Sequence, residues 1–161
     1  MSVQINYKKP ISKKETNNFV LFVDDKFNIN HLKKHIILGE YTHILDLLKT
    51  ADKKKDILFF DISSTKKIFL VSIKPNLKNL EIENLGAKFY DLISGNKKEF
   101  FILQTDTLKN NFNDIIGFFL HGVKLKSYNF DKYKSKKNKK NIIINVTGKN
   151  IPSPKDQAKF S

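Results

Sequence analysis

Ile68-Phe-Leu-Val-Ser-Ile73 is a nearly unbroken apolar run, and Ile82, Leu85, Phe89, Leu92 and Ile93 follow it at i, i+3, i+7, i+10 and i+11. The run predicts a strand covered on both faces, and the spacing predicts an amphipathic helix closed by Gly95-Asn96. A buried strand feeding a helix is the building unit of an α/β fold, and the same alternation recurs on both sides. Upstream, Ile57-Leu-Phe-Phe60 is a second strand, joined to Ile68–Ile73 through the turn at Ser63 to Lys66, a hairpin expected in the middle of a sheet. Phe19-Val-Leu-Phe-Val23 is another buried strand ended by Asp24-Asp25, and Val3 to Tyr7 alternates weakly as a first edge strand. Lys8 to Asn18, with Pro10, reads as a polar connection.

Between Val23 and Ile57, Asn30 is a plausible N-cap for a short helix through His35 to Leu38, stopped by Gly39. Tyr41, Ile44, Leu45 and Leu48 then share a helical face, with Lys53-Lys-Lys55 at the end where cations suit the dipole. Downstream, Glu99-Phe-Phe-Ile-Leu103 is the next strand. Phe112, Ile115, Ile116, Phe119, Leu120 and Val123 form the strongest helical pattern, and Asn141 to Val146 is the last strand. The expected architecture is an α/β sandwich built on a mixed sheet.

The chain has 161 residues, 40% hydrophobic and 29% charged, enough for one ordered domain. Cysteine is absent, which excludes disulfides, thiolate metal sites and cysteine nucleophiles. The longest apolar run, Ile115-Ile-Gly-Phe-Phe-Leu120, is far short of the ~20 residues that span a bilayer, and the first ten residues lack a signal-peptide core. A soluble, cytoplasmic protein is expected, without a membrane partner.

All 30 basic residues are lysine, against 16 acids, for a net charge of +14. Lysine, asparagine, isoleucine and phenylalanine are also what A/T-rich coding favours, and arginine, the fork that reads guanine and phosphate, is missing. The charge is concentrated: Lys124, Lys126, Lys132, Lys134, Lys136, Lys137, Lys139 and Lys140 face one acid, Asp131, so this stretch carries +7. It reads first as a solvated loop between ordered elements. The alternative is an anion or DNA contact, with Tyr128, Phe130 and Tyr133 interleaved as stacking platforms, in a free-standing lysine-rich nucleic-acid-binding module.

The segment Gly122-Val-Lys-Leu-Lys-Ser-Tyr-Asn-Phe-Asp-Lys-Tyr-Lys-Ser-Lys-Lys137 resembles the stretch that closes the N-terminal domain of leucyl aminopeptidases (cytosol aminopeptidases). The family pattern is a helix ending in Glu-Gly, then Tyr-x-Phe-x-x-Tyr-Lys-Ser/Thr-Lys-Lys, then a strand. Gly122, Tyr128, Phe130, Asp131, Tyr133, Lys134, Ser135 and Lys136 sit on it, while His121 replaces the usual acid and Lys132 stands where arginine is common. The order of elements is compatible along nearly the whole chain. The resemblance implies a macro-domain-like three-layer sandwich with a mixed β-sheet flanked by helices. Residues 1–148 would form the aminopeptidase N-terminal-like domain, and 149–161 would begin a linker helix to a catalytic domain missing from this chain. Ser153 as N-cap, Pro154 at the first helical position and Asp156 fit that helix start.

The implied activity of the full-length protein is that of a cytoplasmic metalloaminopeptidase, a hexamer that releases N-terminal residues using two divalent ions, manganese or zinc. Metal ligands and catalytic groups of that family lie in the catalytic domain, so no catalytic, metal or cofactor residue is carried onto this chain. Some bacterial members also bind DNA. The residues themselves offer little other chemistry. His31 and His35 stand at i, i+4 without a third ligand and read as surface helix residues. His121 reads as a residue near a helix C-terminus. Asp24, Asp25 and Asp61 read as strand-ending turn residues, Ser63-Ser64 lacks a catalytic partner, and the six glycines are all isolated, so no phosphate loop is present.

Overall fold

The computed structural model describes residues 3–7, 17–93, 98–109, 114–133 and 141–149, with side chains of 129–133 excepted. Six strands form one mixed sheet: β1 (Val3–Tyr7), β2 (Asn18–Asp24), β3 (Ile57–Asp61), β4 (Lys67–Ile73), β5 (Lys98–Gln104) and β6 (Asn141–Thr147). Their order is β1-β6-β5-β2-β4-β3, parallel throughout except for the antiparallel β3–β4 pair. The described residues also form three helices, α1 (Leu38–Leu48), α2 (Asn79–Leu92) and α3 (Ile115–Tyr133), with short 3-10 turns at Asn30–Lys34 and Thr105–Thr107.

The apolar runs are continuous because the sheet is covered on both faces. Val20 and Phe22 of β2, Phe69 and Val71 of β4, and Phe101 and Leu103 of β5 point into one core under α2 and α3. Their neighbours Phe19, Leu21, Val23, Ile68, Leu70 and Ile102 point into a second core under α1. The result is the three-layer sandwich expected, with the layers set by the two-residue alternation of each strand. Phe89 of α2 sits in the larger core at edge-on or tilted angles to Phe69, Phe101 and Phe119, with ring centroids 5.1–5.7 Å apart.

Two glycines set the spacing of α2 and α3. A Cβ on Gly122 would lie 2.7 Å from the Glu83 carbonyl carbon and nearer still to its oxygen. One on Gly86 would lie 2.9 Å from the Val123 amide nitrogen and press on the Phe119 carbonyl. The helices therefore touch backbone to backbone, and His121 of α3 pairs with Glu83 of α2 beside the contact.

Several expectations change. The β3–β4 hairpin lies at the sheet edge, not its middle: β4 pairs with β2 on its inner side and leaves β3 outermost. Five residues ending in an exposed Asp61 suit an edge strand. Gly39 does not stop a helix; α1 starts at Leu38 after the extended Ile37, and Gly39 lies in its first turn. Asn30 opens a 3-10 turn without capping it, and its Oδ1 instead accepts the Tyr41 hydroxyl at 3.2 Å. Tyr41, Ile44 and Leu48 face the core, but Leu45 is 45% exposed, one step round the helix. Lys53–Lys55 lie beyond α1, which ends at Leu48 with no basic residue in its last turn. The long helix does not end at Gly122 but continues to Tyr133, so the first half of the lysine-rich stretch is helix rather than loop. His121 is consequently mid-helix, not near a C-terminus. The expectations for Pro10, Gly95-Asn96, Phe112 and Ser153 to Asp156 fall outside the described residues.

Candidate functional site

The parallel strands β2 and β5 pair only from Asn18–Val20 to Phe101–Leu103 and then part. Separation would strand backbone groups of Phe22, and two side chains take them up. The Phe22 amide donates to Thr107 Oγ1 at 2.9 Å, and that hydroxyl donates onward to the Gln104 carbonyl at 2.7 Å. The Phe22 carbonyl accepts from His31 Nε2 at 2.8 Å. A carbonyl can only accept, so His31 carries a proton on Nε2.

The chain leaving β2 turns to the α1 face, whereas the chain leaving β5 turns to the α3 face. Where neighbouring parallel strands send their connections to opposite faces, a crevice opens at their carboxyl ends. Here it is a cleft of about 600 Å³. Its apolar wall is Phe22, Ile73, Leu77, Leu108 and Ile115, and its rim carries Asp24, Asp25, Lys74 and Lys109.

Two of the four rim charges are already engaged. Asp24 Oδ1 accepts from the amides of Lys26 (3.0 Å) and Asn28 (2.9 Å), and Oδ2 accepts from the Asn28 side chain at 2.7 Å. Partial burial pushes the Asp24 carboxyl up, but these bonds and the Lys109 charge outweigh it and hold the group below the usual carboxylate range. The turn they build places Phe27 at φ 57°, a left-handed conformation held by burial of its ring at 3% exposure. Lys74 lies 3.6 Å from Asp56, which also binds Lys88 of α2.

The Lys88 hydrogen bond, opposed by partial burial and reinforced by the charges of Lys88 and Lys74, lowers the Asp56 carboxyl from its ordinary range. A group depressed in the folded state stabilises the fold above its unfolded pKa, and that contribution disappears as pH falls through the folded value. Asp56→Asn is therefore expected to lower the urea midpoint most at neutral pH. The gap from the native chain should close as the pH falls below the ordinary aspartate range and through the lowered folded value. A gap independent of pH would contradict this account of the ion pairs.

The other sequence candidates scatter. His31 and His35 are not stacked on one face, because a 3-10 turn has about three residues per turn, and His31 serves the Phe22 carbonyl rather than the surface. No group of three or more His, Cys, Asp or Glu among the described residues is placed to hold a metal ion. Asp61 is exposed at the end of β3, and Ser63 bonds Thr65 within the hairpin turn. Of the lysine-rich stretch, Lys126 lies 3.6 Å from Asp91 of α2, Lys124 is half-buried and Tyr128 is 62% exposed. Phe130, Asp131, Lys132 and Tyr133 lie on α3 with side chains outside the described set, as are Lys134, Lys136, Lys137, Lys139 and Lys140 altogether. Sequence reading missed Thr107 and His31 as the residues that open the cleft. The signal was their position just after two strands that run side by side.

No family model matches the sequence, and no curated protein matches it. Among solved structures, the fold is similar to that of a mutant of tomato leucine aminopeptidase. The TM-score is 0.65 at 13% sequence identity, over 98% of this chain and 35% of that one. The likeness establishes a shared fold. This chain spans about a third of the length of the solved enzyme. No helix among the described residues is long and apolar enough to cross a membrane.

Proposed function

We propose that this chain is the non-catalytic N-terminal domain of a leucyl aminopeptidase, with residues 1–148 as the domain and 149–161 as the start of the link to a catalytic domain. The observation that carries the reading is the coverage: essentially the whole chain shares its fold with one part of an aminopeptidase. The Gly122–Lys137 resemblance in sequence supports the same family independently. In this reading the two divalent ions, manganese or zinc, the chemistry and the hexamer contacts belong to the catalytic domain. The present domain packs against it and shapes the approach of peptides.

Part of the sheet face opposite α2 and α3 fits such packing. Ile102 of β5 is taken up by the core under α1, but Phe100 on the same face of β5 is left 41% exposed and Ile143 of β6 is partly exposed. Asn6 and Asn145 bridge β1 and β6 on this side through a 3.3 Å hydrogen bond. A mixed apolar and polar face of this kind suits a contact between domains of one chain.

The purified 161-residue chain is expected to hydrolyse no leucyl anilide with manganese or zinc added. Hydrolysis abolished by a chelator and restored by metal would overturn the assignment of this domain as non-catalytic.

A further inference from the structure

We propose that the cleft at the carboxyl ends of β2, β4 and β5 binds a free amino acid with an apolar side chain. Asp24 is consumed by its turn and Lys74 is shared with Asp56, whereas Asp25 and Lys109 enter no ion pair among the described residues, the Lys109 charge reaching Asp24 only from beyond ion-pair distance. One acid and one base therefore remain above a wall of Phe22, Ile73, Leu77, Leu108 and Ile115. An anion would meet Asp25 and a cation would meet Lys109, so either alone is disfavoured. A zwitterion satisfies both, its ammonium toward Asp25 and its carboxylate toward Lys109, with the side chain on the apolar wall.

The alternatives fit less well. No glycine among the described residues lines the cleft, so these walls lack the closely approached backbone amides that cradle a phosphate chain. At about 600 Å³ the space falls in the range of small-molecule sites. The walls are preformed, because Thr107 and His31 hold β2 and β5 apart through hydrogen bonds to Phe22 that need no ligand.

The proposal stands apart from the peptidase reading. Were both to hold, the ligand would be of the class that an aminopeptidase releases, and the cleft would sense product. Binding is tested on the chain alone, without any peptidase assay, so failure of one reading leaves the other separately measurable.

The test is an amide NMR titration with three probes: leucine, isocaproate, which lacks the ammonium, and isoamylamine, which lacks the carboxylate. Leucine is expected to shift the amides of Val23–Asp25 and Thr107–Lys109 with a millimolar dissociation constant. Each half-ligand should bind about tenfold more weakly, the loss of one charge-assisted contact. Asp25→Asn should weaken leucine by about the same factor while leaving isocaproate unchanged or tighter, and Lys109→Met should do the converse with isoamylamine. Both side chains are exposed, so neither variant threatens folding. No shift at the solubility limit of leucine would overturn the proposal. So would shifts at other amides, or leucine binding indifferent to both substitutions.

Discussion

Gly122→Ala is expected to destabilise the chain by about 3 kcal/mol, at the upper end of the usual cost of overpacking. The added methyl would meet the backbone of Glu83 rather than a side chain that can swing away. Relief requires α2 and α3 to separate, which opens the core around Phe89 and Phe119, both fully buried. Helix propensity works the other way, since alanine is favoured over glycine mid-helix by about 1 kcal/mol. A loss would thus report packing and nothing else. Gly39→Ala provides the matched control: nothing lies within 4 Å of the position, and it sits in the first turn of α1. That variant is expected to be neutral or slightly stabilising. Urea midpoints of the two variants decide the matter, and equal midpoints would contradict the close-approach role of Gly122.

Lys66→Met is the second large effect. Lys66 and Glu40 form an ion pair at 2.7 Å with each side chain 9% exposed, and the ammonium also lies 4.3 Å from the centre of the Phe19 ring. Removing one partner leaves a buried carboxylate without its counter-charge, which typically costs about 3–5 kcal/mol. Replacing both residues with methionine is expected to recover most of the loss, because an ion pair and an apolar pair of similar volume are often close in stability. A double variant as unstable as the single would show that Lys66 acts through the Phe19 contact instead. Chemical unfolding of the native chain, the single variant and the double variant separates these outcomes.

These residues also show where sequence reading reaches its limit. The elements were legible because a sheet buried on both faces leaves an apolar run that needs no partner to be recognised. Ile68–Ile73 and Phe19–Val23 are such runs. The sheet order was not legible, since β3 and β4 show the same hairpin signature whether they lie inside or at the edge. Helix ends were misread where glycine stood for more than one role. Gly39 looks like a stop in the sequence but lies in a first turn, and Gly122 looks like a terminus but is an interhelical contact. Neither distinction exists until a second helix is placed beside the first. The cleft was the least legible part. Its defining event is the parting of β2 from β5 after Val20, and its residues, Asp24, His31, Lys74 and Thr107, come from four separated segments. The family resemblance rested on one local stretch, and what the solved structure shares over 98% of this chain is the fold.

Capture of the native protein from its source cells with an antibody to this chain, followed by a leucyl anilide assay with and without chelator, tests the central claim most directly. The account predicts that the captured material hydrolyses the substrate, loses that activity to the chelator, and contains a polypeptide or tightly held subunit well above 18.7 kDa. Captured material that consists of the 18.7 kDa chain and cleaves nothing would contradict it.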